Sequence, residues 1–269
     1  MAVSSMFAAA DGDGYELQMG RWSKRLAPQF VNYSGLSGGG SILDVGCGTG
    51  SLTFALAADP AFESVTGIDF SPAYIAHAVA QNSDPRIRFM TGDACALPFA
   101  DASFDHALSL LVLHFIPDPE RAVREMRRVT RPGGVVCAAV WDGQGGFVGQ
   151  RIFWDAAAIL DPDADARRGK AYSRPITQPG ALAKAWRDAG FANVDDGMLT
   201  IRMDFASFDD FWKPAEGRDG PTAEYVMTLG PDAKSKLREA VRRAYLGGAS
   251  DGPRSYAATA WVVKGIVPG

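Results

Sequence analysis

The stretch SILDVGCGTGSLT, from Ser41 to Thr53, decides the fold. Its first half contains Ile42, Leu43 and Val45, an apolar run that is typical of a strand buried on both faces of a sheet. Three glycines follow at alternate positions, and then residues that favour a helix. We therefore predict a strand, a tight turn and a helix, because glycine allows positive φ and lets a ligand lie directly against the backbone.

The spacing of these glycines separates two kinds of nucleotide site. Gly46, Gly48 and Gly50 form GxGxG, whereas the dinucleotide-binding fingerprint is GxGxxG. Together with Asp44, the stretch resembles the first motif of the class I S-adenosylmethionine-dependent methyltransferases, which is an acidic residue, any residue and then GxGxG. The resemblance implies that S-adenosyl-L-methionine is the cofactor.

Further motifs follow in the order that this family has them. A second predicted strand ends at Asp69, where a carboxylate can accept both hydroxyls of a ribose. A third predicted strand is followed by Gly92-Asp93-Ala94. These residues resemble the family's motif that contacts the edge of the adenine ring. The sequence RPGG before a fifth, nearly all-apolar strand also matches. The chain is similar to the small-molecule group that includes quinone-biosynthesis methyltransferases.

The resemblance implies an α/β fold with a Rossmann-like seven-stranded methyltransferase sheet, mostly parallel with the last strand antiparallel, and with helical cap insertions. After residue 141 the chain carries aromatic residues beyond the need of a sheet-and-helix core. We predict three divisions: an N-terminal lid segment at 1–40, a cofactor-binding core at 41–141, and the rest of the same domain at 142–269, with cap insertions at about 142–178 and 206–252.

The N-terminal segment is predicted to be a helix that closes over the cofactor. Apolar residues recur at helical intervals from Tyr15 to Phe30, and a glycine-rich loop follows. A surface helix packed on the core explains this pattern equally well. The sequence Tyr-x-x-x-Met-Gly-Arg-Trp-Ser resembles methyltransferases whose N-terminal helix folds over the methionine end of the cofactor. The resemblance puts Tyr15 and Arg21 on the cofactor side, and we expect a hinge at Gly38 to Gly40.

The family's cofactor-binding residues can be carried over by motif. They are Tyr15, Arg21, Asp44, Gly46, Cys47, Gly48, Gly50, Asp69, Phe70, Asp93, Ala94 and Leu110.

A general base is the role that the sequence assigns least directly. Histidine removes a proton most readily near neutral pH, and the chain has three. His77 is expected on the solvent side of a helix, and His106 is expected to be buried in the fourth strand. His114 follows that strand, where class I enzymes present residues to the methyl group, so it is the first candidate and Asp142 the second. An acceptor that is already anionic, or a free amine, needs no base.

Length and composition limit the remaining choices. The 269 residues are enough for one large α/β domain. A net charge of -4 and a pI of about 5.4 argue against nucleic acid or a membrane surface as the main partner. The cysteines lack metal-type spacing, and the sequence has neither a signal peptide nor a membrane-spanning run. We expect a cytoplasmic monomer or homodimer that acts on a small molecule without a metal.

Three functions fit these observations to different degrees. The first is in-line methyl transfer from S-adenosyl-L-methionine to a small, partly apolar or aromatic metabolite. A non-catalytic module that binds the adenosyl cofactor would keep every cofactor motif. An NAD-dependent oxidoreductase would share the turn and Asp69, but it would require GxGxxG and has no reason to keep Gly92-Asp93-Ala94. A test of which cofactor binds distinguishes the oxidoreductase from the other two. Detected methyl transfer distinguishes the methyltransferase from the non-catalytic module.

Overall fold

The computed structural model describes residues 12–36, 39–172 and 174–269. In this part of the chain the strands are β1 Ser41–Val45, β2 Ser64–Asp69, β3 Ile87–Thr91, β4 His106–Leu110, β5 Val135–Trp141, β6 Ala192–Phe205 and β7 Arg254–Ile266. The helices are α1 Gly12–Tyr15, α2 Arg21–Ser34, α3 Ser51–Ala57, α4 Pro72–Gln81, α5 Pro119–Val129, α6 Val148–Leu160, α7 Pro162–Tyr172, α8 Ala181–Asp188, α9 Phe208–Trp212, α10 Gly220–Met227 and α11 Pro231–Leu246. A π-helical stretch, Glu16–Gly20, joins α1 to α2. Gly38 of the predicted hinge lies outside the described residues.

The seven strands form one sheet in the order β3-β2-β1-β4-β5-β7-β6. Neighbours from β3 to β5 are parallel, whereas β7 is antiparallel to both β5 and β6. This topology confirms the predicted fold class. The strand order reverses between β1 and β4, and ligands of open α/β sheets bind in the crevice outside the carboxyl ends of such strands.

Helices bury the central strands from both sides, as the apolar run in β1 requires. Ile42 belongs to the same hydrophobic cluster as Leu26 and Phe30 of α2. The next residue, Leu43, belongs to a second cluster with Met126 of α5. Alternate side chains of β1 therefore face opposite layers, and the strand fixes the position of the glycine turn that follows it.

The C-terminal half agrees with most of the predicted elements. The sequence predicts helices near 147–160, 180–189, 206–213 and 231–245, and these correspond to α6, α8, α9 and α11. It also predicts strands over 191–205 and 255–267, which correspond to β6 and β7. We did not predict α7, whose apolar positions are mostly alanine, or α10, which begins with the turn-like pair Gly-Pro. Among the described residues, no helix is both long and apolar enough to cross a membrane.

The fourth strand starts later than predicted. We expected it to begin at Phe104, but regular pairing begins at His106. Phe104 forms only an isolated bridge with Thr130, the residue that follows α5. This contact fastens the entrance of β4 to the end of α5.

Candidate active site

The glycine turn after β1 has the conformation that its sequence predicts. The φ angles of Gly46, Gly48 and Gly50 are 75°, 54° and 94°, values that favour glycine. A Cβ on Gly46 would lie 2.4 Å from the Val112 side chain. A Cβ on Gly48 would enter the space between the turn and the Tyr15 ring, 3.8 Å away. The turn therefore leaves its backbone accessible to a ligand.

Asp69, the last residue of β2, faces this turn. Its two carboxylate oxygens accept hydrogen bonds from the backbone N–H groups of Gly48 and Ser71, both at 2.9 Å. Burial raises the pKa of Asp69 to about 6, although the backbone N–H groups oppose the shift. Each oxygen of an ionised carboxylate has room for a second donor. Asp69 can therefore hold the turn and accept ribose hydroxyls at the same time.

Asp44 is completely buried between β1 and α3. The Thr53 hydroxyl donates to one of its oxygens at 2.6 Å, while Oδ1 has no hydrogen-bond partner among the described residues. Burial raises the pKa of Asp44 to about 7. This carboxylate anchors the start of α3 behind the turn.

A cavity opens at the carboxyl ends of the strands, next to the glycine turn. Its empty volume is about 1280 Å³, including open solvent at the mouth. Much of its wall is apolar and includes Leu111, Val112, Phe115, Trp141, Phe147 and Trp154. The cavity thus joins the glycine turn to an aromatic wall to which α6 contributes Trp154.

The structure brings about half of the predicted site residues to this cavity. Those that line it are Tyr15, Gly46, Gly48, Asp69, Phe70, Ala94 and His114. Those that do not line it are Arg21, Asp44, Cys47, Gly50, Asp93, Leu110 and Asp142.

Two of the predicted residues outside the wall are next in sequence to residues that do line the cavity. Gly92 and Ala94 line the cavity, whereas the Asp93 carboxylate accepts the Cys95 N–H at 2.8 Å. Likewise Leu111 lines the cavity in place of Leu110. Motif spacing located these strand ends, but it did not specify which side chain turns inward.

The N-terminal segment forms part of the cavity wall through Tyr15. The Tyr15 ring centroid lies 5.0 Å from that of Tyr74, and its hydroxyl is 3.3 Å from the Ser23 hydroxyl. Burial raises the pKa of Tyr15 to about 12. The Thr49 hydroxyl in the glycine turn donates to Glu16 at 2.6 Å. The segment is therefore fastened directly to the turn that it covers.

Arg21 lies away from the cavity, in contrast to the prediction. Its NH1 donates to Asp210 in α9 at 2.9 Å, and its guanidinium lies 4.3 Å from the centre of the Trp22 ring. Arg21 stands six positions after Tyr15, and this is not a whole number of helical turns. The two side chains consequently leave different faces, and Arg21 joins the segment to α9 instead.

His114 lies in the short 3₁₀ turn Leu113–Phe115 that follows β4. It is 7% exposed, and its Nδ1 has no hydrogen-bond partner among the described residues. Burial and the nearby charge of Arg174 lower the pKa of His114 to about 3. The ring is therefore neutral at physiological pH, and its pKa lies far from the value near the operating pH that suits a general base.

The other base candidates have structural contacts. The Asp142 carboxylate accepts the N–H groups of Gln144 and Gly145 at 3.1 and 3.0 Å, so it caps its own loop. His106 is half-buried and accepts the Val135 N–H at 3.0 Å. His77 does not face solvent as predicted: its side chain is only 18% exposed, because α1 packs over it.

Comparison with known proteins identifies the family. Residues 43–138 match the family described as a methyltransferase domain. An uncharacterized protein of Mycobacterium tuberculosis is 31% identical over 233 residues, which cover 85% of this chain and 81% of that protein. Demethylmenaquinone methyltransferase of Staphylococcus aureus is 40% identical over 118 residues, 43% of this chain and 47% of that enzyme.

The fold comparison agrees with the sequence comparison. A solved phosphoethanolamine N-methyltransferase 2 of Haemonchus contortus, in complex with S-adenosyl-L-methionine, has a TM-score of 0.60 at 16% identity, covering 96% of this chain and 57% of that one. The chain belongs to the class I S-adenosylmethionine-dependent methyltransferases. Its cofactor is S-adenosyl-L-methionine, and the open glycine backbone beside the Asp69 carboxylate suits an adenosyl group.

Sequence reasoning missed several residues in the wall of this methyltransferase. Gln18 and Met19 lie about one helical turn after Tyr15, so the helical period was a usable signal for them. Arg174 also lines the cavity, and its NH1 donates to the backbone carbonyl of His114. No motif or period marks Arg174, which precedes the short 3₁₀ turn Pro175–Thr177 in the predicted cap insertion.

Proposed function

We propose that this methyltransferase acts on a small, partly apolar or aromatic metabolite that binds beside the cofactor. One observation carries the proposal: the glycine turn with Asp69 and the aromatic side chains of Trp141, Phe147 and Trp154 bound the same cavity. All three aromatic residues are nearly fully buried, so they present an apolar surface that water does not solvate well. Hydrophobic and aromatic linings are usual for pockets that enclose small ligands.

The proposed mechanism is in-line methyl transfer with the protein acting mainly by positioning. S-adenosyl-L-methionine supplies an activated methyl group on a sulfonium. The backbone of the turn and Asp69 would hold the adenosyl end, and the aromatic wall would hold the acceptor beside it. Orientation of two reactants can lower a barrier by about 7–11 kcal/mol when the geometry is good. The apolar wall also limits the access of water.

The proposed functional regions follow one another along the chain. The lid spans 1–40, of which the structure describes only 12–36, 39 and 40. In this proposal 41–141 form the cofactor-binding core, and insertions at about 142–178 and 206–252 form a cap over the acceptor. The contact of Glu16 with Thr49 supports the lid, because it joins the segment to the turn. The contact of Arg21 with Asp210 supports the cap, because it joins the lid to α9.

We propose that no side chain acts as a general base. His114 lines the cavity, but its pKa of about 3 leaves it almost without basicity at neutral pH. Asp142 is engaged with its own loop. The role that remains for His114 is to contact the acceptor as a neutral ring. The acceptor must then be nucleophilic in the form in which it binds.

A labelled-methyl experiment tests the proposal. The protein is incubated with S-adenosyl-L-methionine carrying a heavy-isotope methyl group and a mixture of small aromatic metabolites. The expected result is a product heavier by one labelled methyl group, formed by the wild type and formed much more slowly by Trp154→Ala. Tight cofactor binding without any labelled product from a broad metabolite pool would favour a non-catalytic module.

The proposed setting is a cytoplasmic monomer or homodimer without a nucleic-acid or membrane partner. The net charge of -4 supports this choice, since polyanionic partners would be repelled. Light scattering after size-exclusion chromatography measures the oligomeric state, and a mass above that of a dimer would contradict the proposal.

A further inference from the structure

Arg174 has a special position in the cavity wall. Among the described residues that line the cavity, it is the only arginine or lysine. Its NH1 donates to the His114 carbonyl, and its guanidinium lies 4.8 Å from the centre of the Phe115 ring. No described carboxylate forms an ion pair with it, and Glu224 acts on it only at longer range. A guanidinium has five N–H donors, so this one keeps unused donors beside an apolar pocket.

Three further polar side chains in the same wall, Gln18, His114 and Trp141, have a buried atom without a hydrogen-bond partner among the described residues. His114 and Trp141 are 7% and 5% exposed, and both line the cavity. The His114 Nδ1 and the Trp141 Nε1 have no hydrogen-bond partner among the described residues. A buried polar atom without a partner is unfavourable, because it has lost its hydrogen bonds to water without replacing them. The Trp141 N–H can only donate, so a ligand that relieves this cost must offer an acceptor.

We propose that the methyl acceptor carries an anionic oxygen group, a carboxylate or an ionised aromatic hydroxyl, and that Arg174 binds it. The inference rests on the proposed function, since it specifies the chemistry of the same small aromatic acceptor. Arginine suits the role because its planar fork pairs with two oxygens and is weakly hydrated. The neutral His114 ring adjoins Arg174 and can supply a second donor from Nδ1.

An anionic acceptor agrees with the proposal that no side chain acts as a general base. When the anionic oxygen is itself the nucleophile, its lone pair would form the O–CH3 bond as the S–CH3 bond breaks, neutral S-adenosylhomocysteine would leave, and no proton would have to be removed. The alternative role for Arg174 is purely structural, since it fastens the turn Leu113–Phe115 to the cap through the His114 carbonyl. If Arg174 has only this structural role, the affinity for a ligand should not depend on the charge of the ligand.

Paired probes separate these roles. With the protein saturated with S-adenosylhomocysteine, calorimetry measures the binding of 2-naphthoate and of its neutral analogue 2-naphthamide. We expect the wild type to bind the carboxylate at least tenfold more tightly, Arg174→Met to lose that preference, and Arg174→Lys to keep part of it. The matched control is Arg167→Met, because Arg167 is exposed on α7 and packs over Tyr225 outside the cavity wall. Retained binding of S-adenosylhomocysteine shows that each variant is folded.

A second probe identifies the source of the anion. The absorbance of 4-nitrophenol reports its ionisation directly. If the group is an ionised hydroxyl, the bound dye ionises at lower pH than the free dye in the wild type but not in Arg174→Met. A preference for naphthoate with unchanged ionisation of the dye assigns the group as a carboxylate.

The outcomes separate this inference from the function on which it rests. Equal affinity of the wild type for naphthoate and naphthamide, together with unchanged ionisation of the dye, would overturn the anion site alone. A preference that survives in Arg174→Met would also overturn it. Failure of every aromatic probe to bind would overturn the proposed substrate class and the anion site with it.

Discussion

Asp69 is the residue on which the affinity for cofactor should depend most. Its carboxylate supports the turn through Gly48 and is the expected acceptor for the ribose. Hydrogen bonds to charged groups contribute about 1.5–3 kcal/mol, so Asp69→Ala should raise the Kd of S-adenosylhomocysteine about 10- to 100-fold by calorimetry. Asp118→Ala is the control, because Asp118 also accepts a backbone N–H at 2.9 Å but caps α5 outside the cavity wall. Equal losses in both variants would contradict a role in binding.

The raised pKa of Asp69 gives this affinity a pH dependence. The ionised carboxylate is the form that accepts hydroxyl donors, and burial brings its pKa to about 6. Acidification through pH 6 protonates the group, so the Kd of the wild type should rise as pH falls from 7 to 5. The Asp69→Asn variant cannot ionise and should show a flatter profile. A wild-type profile as flat as that of the variant would refute the assignment.

The ionisation of His114 should not contribute to the pH dependence of the methyl-transfer rate. Because burial lowers its pKa to about 3, the ring stays neutral and does not titrate between pH 5 and 9. Single-turnover rates should therefore lack an inflection from His114, and His114→Gln should change the size of the rate but not the shape of its pH profile. An inflection near pH 6.5 that disappears in His114→Gln would instead identify His114 as a base.

At the scale of elements, a buried hydrogen bond joins the proposed lid to the glycine turn. The Thr49 hydroxyl, in a residue that is 1% exposed, donates to Glu16, while Lys24 pairs with the same carboxylate from a more exposed position. Thr49→Val should weaken lid closure by about 1–2 kcal/mol, and faster cofactor dissociation and faster amide exchange in α2 should follow. Lys24→Met should have little effect, because exposed ion pairs contribute about 0–1 kcal/mol. A larger effect of Lys24→Met would contradict this mechanism.

The elements also show where sequence reasoning succeeds. The GxGxG turn and the strand ending at Asp69 were predicted because local chemistry fixes them: glycine is needed for positive φ, and apolar runs are needed for buried strands. Helix α7 was missed because its stability comes from packing against α6 and not from an apolar stripe of its own. Arg174 was missed for a related reason, since only tertiary packing brings it to the His114 carbonyl. Spacing along the chain carries no signal for such contacts.

At the scale of the whole molecule, S-adenosylhomocysteine should stabilise the fold against unfolding, whereas NAD should not. A ligand that binds only the native state adds RT ln(1 + [L]/Kd), about 2.7 kcal/mol at 100 times the Kd. For a chain of 269 residues this corresponds to a rise in Tm of several degrees in the presence of S-adenosylhomocysteine. The same concentration of NAD should give no shift, because the turn is GxGxG. Asp69→Ala lowers the affinity and should reduce the shift with S-adenosylhomocysteine, whereas Asp118→Ala should keep it in full. A comparable rise with NAD would show that the turn does not discriminate between the two cofactors.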